Sequence, residues 1–434
     1  MHSRRRFLGT IGAPAAAAGA LSIIPLRWNH ALAAARELSA TPGAPGTIAE
    51  EEDFWFEIQQ AFTTDRSLVN LNNGGVSPTP AHVLEAMKRD LDFANQMPVY
   101  NGWQILEPQR EGVRERLARN WGVDTEEIAI TRNASESLQI LQFGHDLEPG
   151  DEVLTTTQDY PRMITTFKQR ERREGIVLRQ IQLPVPAEDN AEVVRRFEEG
   201  ITDRTRLILI SHMINLTGQI LPVRDVVAMA RKYDVPVIID GAHALAHFDF
   251  TIAELDCDNY STSLHKWLHT PIGNGLLYVR RELIPGIWPL MAAAESRDEN
   301  IRKFEEVGTH SEATFLAIGE ALTFHQLIGG KRKEARLVYL RDYWAKQLLE
   351  LDNVRLNTSL EPGFAAGIAN VQITDIETQP LRDWLWREHR IFTVGINHAE
   401  FTGLRVSPSI YTTLEELDRF VDAMTYAVRH GIAT

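Results

Sequence analysis

A single cysteine, Cys257, is all the thiol this 434-residue chain carries. No intrachain disulfide can therefore staple it, and redox surroundings leave no signature in cysteine spacing. Cys257 sits just before the strand that leads to Lys266 and is expected to be a small buried hydrophobe. Positive charge is also in deficit. The 45 lysines and arginines stand against 59 acidic residues, a formal charge of −14, which argues against nucleic acid or an anionic membrane as the main partner. There is no internal repeat, and no long low-complexity tract after the N-terminal segment. The one extended apolar run is interrupted by Gly9, Gly12, Pro14, Gly19 and Pro25, so no stable transmembrane helix is expected.

What is present is ordinary for a globular enzyme: 44% hydrophobic and 24% charged residues, in a chain long enough for one large and one small domain. The first segment stands apart. Ser3-Arg4-Arg5-Arg6-Phe7-Leu8 fits a twin-arginine export address, followed by a weakly apolar run and Ala31-Leu32-Ala33 as a small-x-small cleavage site. The bland alternative is a disordered basic N-terminus. Export to the periplasm or medium through the twin-arginine translocation machinery is expected, with residues 1–33 removed and 34–50 a Pro/Gly linker.

An N-terminal arm (51–75) begins with an acidic, aromatic helix over 51–62 and enters the strand and Gly/Pro turn of Val69–Pro80, which runs on into the large domain. A helix follows to about Gln96 with Val83, Met87 and Leu91 on one face, then an aromatic loop, Pro98–Trp103. From Glu127 onward apolar strands alternate with helices: 127–131, 151–157, 176–183, 205–212 and 235–240. Each strand ends in a polar motif, which predicts an α/β fold with a mainly parallel sheet and a site at its carboxyl edge. The large domain is expected to span 76–315. Residues 316–434 would hold a linking helix and a smaller α+β domain, whose last helix starts at the capping box Thr413-Leu-Glu-Glu416.

The chemistry concentrates in Asp258–Arg280. A short strand runs into a turn carrying Ser263, His265 and Lys266, then a Gly-rich bend and a second strand. A lysine among polar hydrogen-bonders at a strand end suits a Schiff base with an aldehyde cofactor. Upstream, Val235-Pro-Val-Ile-Ile-Asp-Gly-Ala-His-Ala244 is an apolar strand tipped by Asp240 and followed by His243. An acid there can keep a pyridine nitrogen protonated, which is what pyridoxal 5'-phosphate (PLP) requires. The competing reading is a buried ion pair in some other α/β protein.

At these residues the chain resembles the class V aminotransferase family of PLP enzymes, fold type I, and within it the isopenicillin N epimerase-like branch. The resemblance runs from about Asn70 to near the C-terminus. It implies a seven-stranded-type sheet covered by helices and assigns roles. Lys266 would carry the cofactor, Asp240 would face the ring nitrogen, and His243 and Asn215 the phenolic oxygen. Asn133, Ala134, Ser135, Ser263 and His265 would surround the phosphate, although Asn133 or Ser135 also reads as a plain helix cap. Tyr160 would cover one ring face. Thr309 would reach a neighbouring subunit's phosphate, implying a homodimer. Arg405 would bind a substrate carboxylate; its alternative is a surface arginine on an edge strand. Tyr100, Trp103 and His310 would border the substrate, with aromatic packing under a loop the alternative for the first two.

Amino transfer, β-elimination with C–S cleavage, and epimerisation share one activated Cα, so these residues point to the cofactor better than to the reaction. Sulfur transfer of the cysteine desulfurase kind is not expected, because Gly395–Arg405 holds no cysteine where that branch carries its nucleophile. A maturation enzyme for a siderophore-like peptide and a non-catalytic binding protein on the same fold are the other readings. Epimerisation needs a proton from each face of the cofactor. A tyrosine such as Tyr160 is a poor base near neutral pH, so one-face chemistry, elimination or amino transfer, is favoured.

Overall fold

The computed structural model describes residues 43–432. The export segment 1–33 and the beginning of the linker lie outside them. The end of the expected linker is helical. Pro45–Ala49 forms a short helix whose Ile48 and Ala49 are buried. Trp55 donates its indole N–H to Ile48 O (2.8 Å) and Arg336 a guanidinium N–H to Ala49 O (2.8 Å), so this stretch packs as part of the body.

After helix Glu52–Gln59, the arm contributes β1 (Val69–Asn70). Helix Ala81–Gln96 buries Val83, but Leu91 faces outward, contrary to the one-face expectation. The aromatic stretch after it is not a loop. Pro98–Leu106 forms a π-helical segment that continues the chain, tied back by the Asn101 side-chain amide donating to Phe93 O (2.8 Å).

Seven strands form the central sheet: β2 (Ile128–Thr131), β3 (Glu152–Thr156), β4 (Val177–Ile181), β5 (Thr205–Ser211), β6 (Val237–Asp240), β7 (Asn259–Ser263) and β8 (Gly275–Val279), in the order β2-β8-β7-β6-β5-β3-β4. The run β7-β6-β5-β3-β4 is parallel, and β8 lies antiparallel to both β7 and β2. The Val/Ile/Leu runs of β5 and β6 are buried, as strands covered by helices on both faces must be. Their register aligns Ser211 with Asp240, and Asp240 with Ser261. That alignment delivers successive polar strand ends to one edge.

Two helices follow, Glu312–Ile328 and Gly330–Leu348, broken at Gly329, whose φ of 87° ends the first. The C-terminal domain is a four-stranded antiparallel sheet of β9 (Val354–Leu356), β10 (Ala369–Ile373), β12 (Val394–Asn397) and β13 (Thr402–Val406). The short β11 (Ile391–Phe392) instead pairs in parallel with β1 of the arm. The final helix, Leu414–His430, begins at the Thr413/Glu416 capping box. Among the described residues no helix is long and apolar enough to cross a membrane.

Candidate active site

At the carboxyl edge of the parallel strands lies a cavity of about 310 Å³, walled by strand ends of the large domain, the Gly74-Gly75 turn of the arm, and Arg405 from β13. Its size is within the usual range for small-ligand sites. Asp240 ends β6. Its Oδ1 accepts the Ala242 N–H (2.9 Å), which holds the carboxylate in place. Gly241 is required here, because a Cβ would stand 2.1 Å from the Tyr260 ring.

Lys266 sits in the one-turn helix Leu264–Trp267 that follows β7, and its Nζ lies 2.9 Å from His243 Nε2. Burial pushes the lysine down to about 8, with nearby Asp240 opposing and Arg405 adding to the shift. Burial likewise raises Asp240 to about 6 and keeps His243 well below the usual imidazole range, so His243 is neutral. With Nε2 accepting from Lys266, His243 carries its proton on Nδ1, which is buried and has no acceptor.

This pair is braced from behind. His247 lies within hydrogen-bonding distance of His243 O through Nδ1 (2.8 Å), and its Nε2 accepts the Gly367 N–H (2.8 Å), which fixes its tautomer. Its ring stacks on Trp267 at 3.6 Å, while Lys333 donates to Trp267 O. The residues on which Lys266 and His243 depend are thereby clamped together.

The phosphate-type wall is built by helix Ala134–Gly144. Asn133 is its cap, accepting the Glu136 N–H (3.0 Å), and the Ala134 N–H donates to Ser263 Oγ (2.9 Å). Ala134, Ser135, Ser263 and His265 all border the cavity. A helix N-terminus with small side chains suits an anion. His265, pushed down to about 4 by burial, leaves a buried Nδ1 without a partner.

Arg405 is the residue whose surroundings most exceed expectation. It is not a surface arginine: only 7% is exposed. It donates from Nη1 to Asn215 O (3.0 Å) and from Nη2 to Asn72 Oδ1 (2.7 Å), its buried Nε has no acceptor, and no carboxylate pairs with it among the described residues. A buried guanidinium without a counter-ion fits a ligand carboxylate. Asn215 lines the same cavity with its Oδ1 unpartnered, in a loop closed by Gly218 at φ 78°. Orphaned polar atoms on Asn215, His243, His265 and Arg405, together with Asp240 and Lys266, fit PLP and a carboxylate substrate.

Four expected residues are not gathered here. Tyr100 and Trp103 are about half exposed on the π-helical segment and do not border the cavity. His310 is held by Arg110 and by Glu312 (3.1 Å), so it is engaged in an ion-pair cluster instead of the entrance. Thr309 is exposed and outside the cavity of its own chain; its expected role concerns a partner chain.

Two residues absent from the sequence reading matter. Asn72 anchors Arg405 from the arm. Asp159, next to the cavity-lining Tyr160, is almost wholly buried and accepts five hydrogen bonds, from Thr155 Oγ1, Thr156 N and Oγ1, and Ser211 N and Oγ, all within 2.7–2.8 Å. It ties the ends of β3 and β5 beneath Tyr160. The signal available was the threonine run before Asp159 and the serine ending β5. Asp159→Ala should cost about 3 kcal/mol or more in chemical denaturation, because several buried donors lose their acceptor. Asp159→Asn should cost less. An unchanged midpoint in the alanine variant would show that the clamp does not operate.

The sheet order, the lysine on the turn after β7 and the acid tipping β6 define a PLP-dependent protein of fold type I. Residues 69–420 match the family described as aminotransferase class-V, and the chain belongs to that family. It is 28% identical over 395 residues to the isopenicillin N epimerase of Streptomyces clavuligerus, covering 85% of this chain and 97% of that one. It is 26% identical over 393 residues to the hercynylcysteine sulfoxide lyase of Schizosaccharomyces pombe, covering 86% and 96%. The apo structure of a cysteine desulfurase from Thermococcus onnurineus superposes with a TM-score of 0.75 at 21% identity, covering 86% of this chain and 98% of that one. The family's cofactor is pyridoxal 5'-phosphate.

Proposed function

We propose that this protein is an exported homodimeric enzyme that acts on an amino acid-derived substrate by one-face chemistry at Cα, β-elimination or amino transfer, above epimerisation. The observation that carries the reading is Lys266 Nζ 2.9 Å from a neutral His243, in one cavity with Asp240 and with an arginine lacking any carboxylate partner among the described residues. When bound, PLP supplies an aldehyde for an amine and an electron-withdrawing ring that weakens the bonds at Cα. Arg405 grips the substrate carboxylate and orients Cα. Asp240 keeps a proton on the ring nitrogen. Lys266, depressed towards neutrality, would take the α-proton as a free amine, so that one face alone carries proton transfer; in elimination the proton would leave with the β-substituent.

The likeness to a sulfoxide lyase supports elimination. The desulfurase alternative is disfavoured because the only cysteine, Cys257, is buried with its thiol pushed up to about 12, and precedes β7 at the end away from Lys266. The support for export is the Ser3–Leu8 pattern with Ala31–Ala33. The support for the dimer is Thr309, exposed and unused by its own cavity.

Reaction in heavy water tests the reading. Keto product, with recovered substrate not inverted, is expected. Inversion with deuterium at Cα, abolished in Tyr160→Phe while exchange persists, would establish two-face chemistry instead.

A further inference from the structure

A second, larger cavity of about 690 Å³ adjoins the first. It lies between the arm and the C-terminal domain, and its apolar wall is made by Leu68, Val76, Pro78, Trp386 and Phe392. Val76, Trp386 and Phe392 are 41%, 38% and 45% exposed, and the last two pack edge to face, 5.7 Å apart. Isolated exposed apolar residues need no explanation, but a concave group beside a polar site does.

The two cavities are neighbours through the residues that anchor the carboxylate grip. Gly75 lines both. Asn72 lines the larger one, and its Oδ1 receives Arg405 Nη2, which belongs to the smaller. A substrate whose carboxylate is on Arg405 would therefore lie next to Asn72 and Gly75, the residues that border the apolar cavity. At Gly75 a Cβ would come within 3.1 Å of Asn72 Nδ2, so a larger residue would press on the side chain that holds Arg405. Of the acidic groups on this wall, Glu416 is paired with Arg66 (3.1 Å) and Asp65 is bound by Ser67 N and Oγ. The wall offers no cation of its own for an anionic tail. A cavity of this size exceeds what one ordinary side chain fills; sites of about 300–1,000 Å³ take drug-sized ligands.

From this arrangement we infer that the preferred substrate is an α-amino acid bearing a bulky apolar or aromatic extension, which occupies this cavity while the α-carboxylate is held by Arg405. The inference rests on the amino acid reading above and narrows its substrate class. Val76, Trp386 and Phe392 then determine specificity without touching the reacting atoms.

The test uses the PLP-loaded enzyme, titrated with L-alanine and with S-benzyl-L-cysteine and followed by the change in cofactor absorbance. S-benzyl-L-cysteine should bind at least ~10-fold more tightly, which is the range that burial of a ring in an apolar pocket supplies. Val76→Arg should erase that preference while leaving L-alanine within about twofold. Phe392→Ser, a milder change, should reduce it in the same direction and covers the case in which Val76→Arg misfolds. Equal affinity for the two amino acids, or a preference that survives both variants, overturns the inference while the amino acid reading stands. A change in sedimentation mass in both variants, with the preference intact, would assign the cavity to a contact between copies of the chain and also overturns it. If neither amino acid perturbs the absorbance, the amino acid reading itself fails.

Discussion

Lys266→Ala abolishes the visible absorption of the PLP-loaded protein and lowers turnover by at least ~10³-fold, with the fold retained. Only a lysine amine can make the covalent link to the aldehyde, and no other described lysine borders the cavity. Lys333 is fully buried behind Trp267 and does not reach it. The pH dependence is a separate signature. Burial has brought Lys266 down to about 8, so the amine is charged below that pH and neutral, hence nucleophilic, above it. The rate at which added PLP attaches to the apo-protein should therefore rise ~10-fold between pH 7 and 9 and then flatten. A rate still climbing steeply towards pH 10.5, the ordinary lysine value, would mean that the site does not depress the amine. An alanine variant that kept the absorption band would mean another residue anchors the cofactor.

Asp240→Asn should retain PLP yet lose roughly 10²–10⁴-fold of turnover, because an amide cannot hold a proton on the ring nitrogen. Its effect on the apo-protein runs the other way. Burial raises the Asp240 carboxyl from 3.8 to about 6, so its ionisation opposes folding. A raised folded value means that stability is fully present below about pH 4 and declines as pH rises towards 6. Asparagine can still accept the Ala242 N–H through its oxygen and carries no charge. The apo variant should therefore be more stable than the wild type at pH 7, by on the order of 1–3 kcal/mol, and equal to it at pH 4. Thermal denaturation of the two apo-proteins across that range checks the sign. A variant less stable at pH 7 would show that the carboxylate is compensated by something besides Lys266.

The parts of this site that could be read without a structure are those in which chemistry and chain position coincide. Asp240 and His243 are three residues apart at a strand end, and Ser263, His265 and Lys266 share one turn. A β-branched run followed by Asp-Gly leaves the acid at the tip of a strand whichever neighbours that strand acquires. The helix cap at Asn133 and the capping box at Thr413 are equally local. The Pro98–Leu106 segment shows the opposite case: its proline and aromatics suggest a loop, but across the non-helical Met97 (φ −157°, ψ 78°) the Asn101–Phe93 hydrogen bond ties it back to the preceding helix. The prolines and glycines around Pro45–Ala49 suggest a linker, whereas burial of Ile48 and Ala49 packs this stretch as a helix.

By itself, then, the sequence determined the alternating α/β order and pointed to the cofactor and to Lys266 and Asp240 as the candidate residues for it, because each rests on residues close together in the chain. Only the tertiary structure decided that Arg405 is buried and tethered to Asn72, 333 positions away, that Asp159 joins β3 to β5, and that an apolar cavity borders Asn72, which holds Arg405. Those features depend on parallel strands bringing distant ends to one edge and on β1 of the arm pairing with β11 of the C-terminal domain. No periodicity or motif encodes that pairing, since it is set by how two separately formed layers pack against each other.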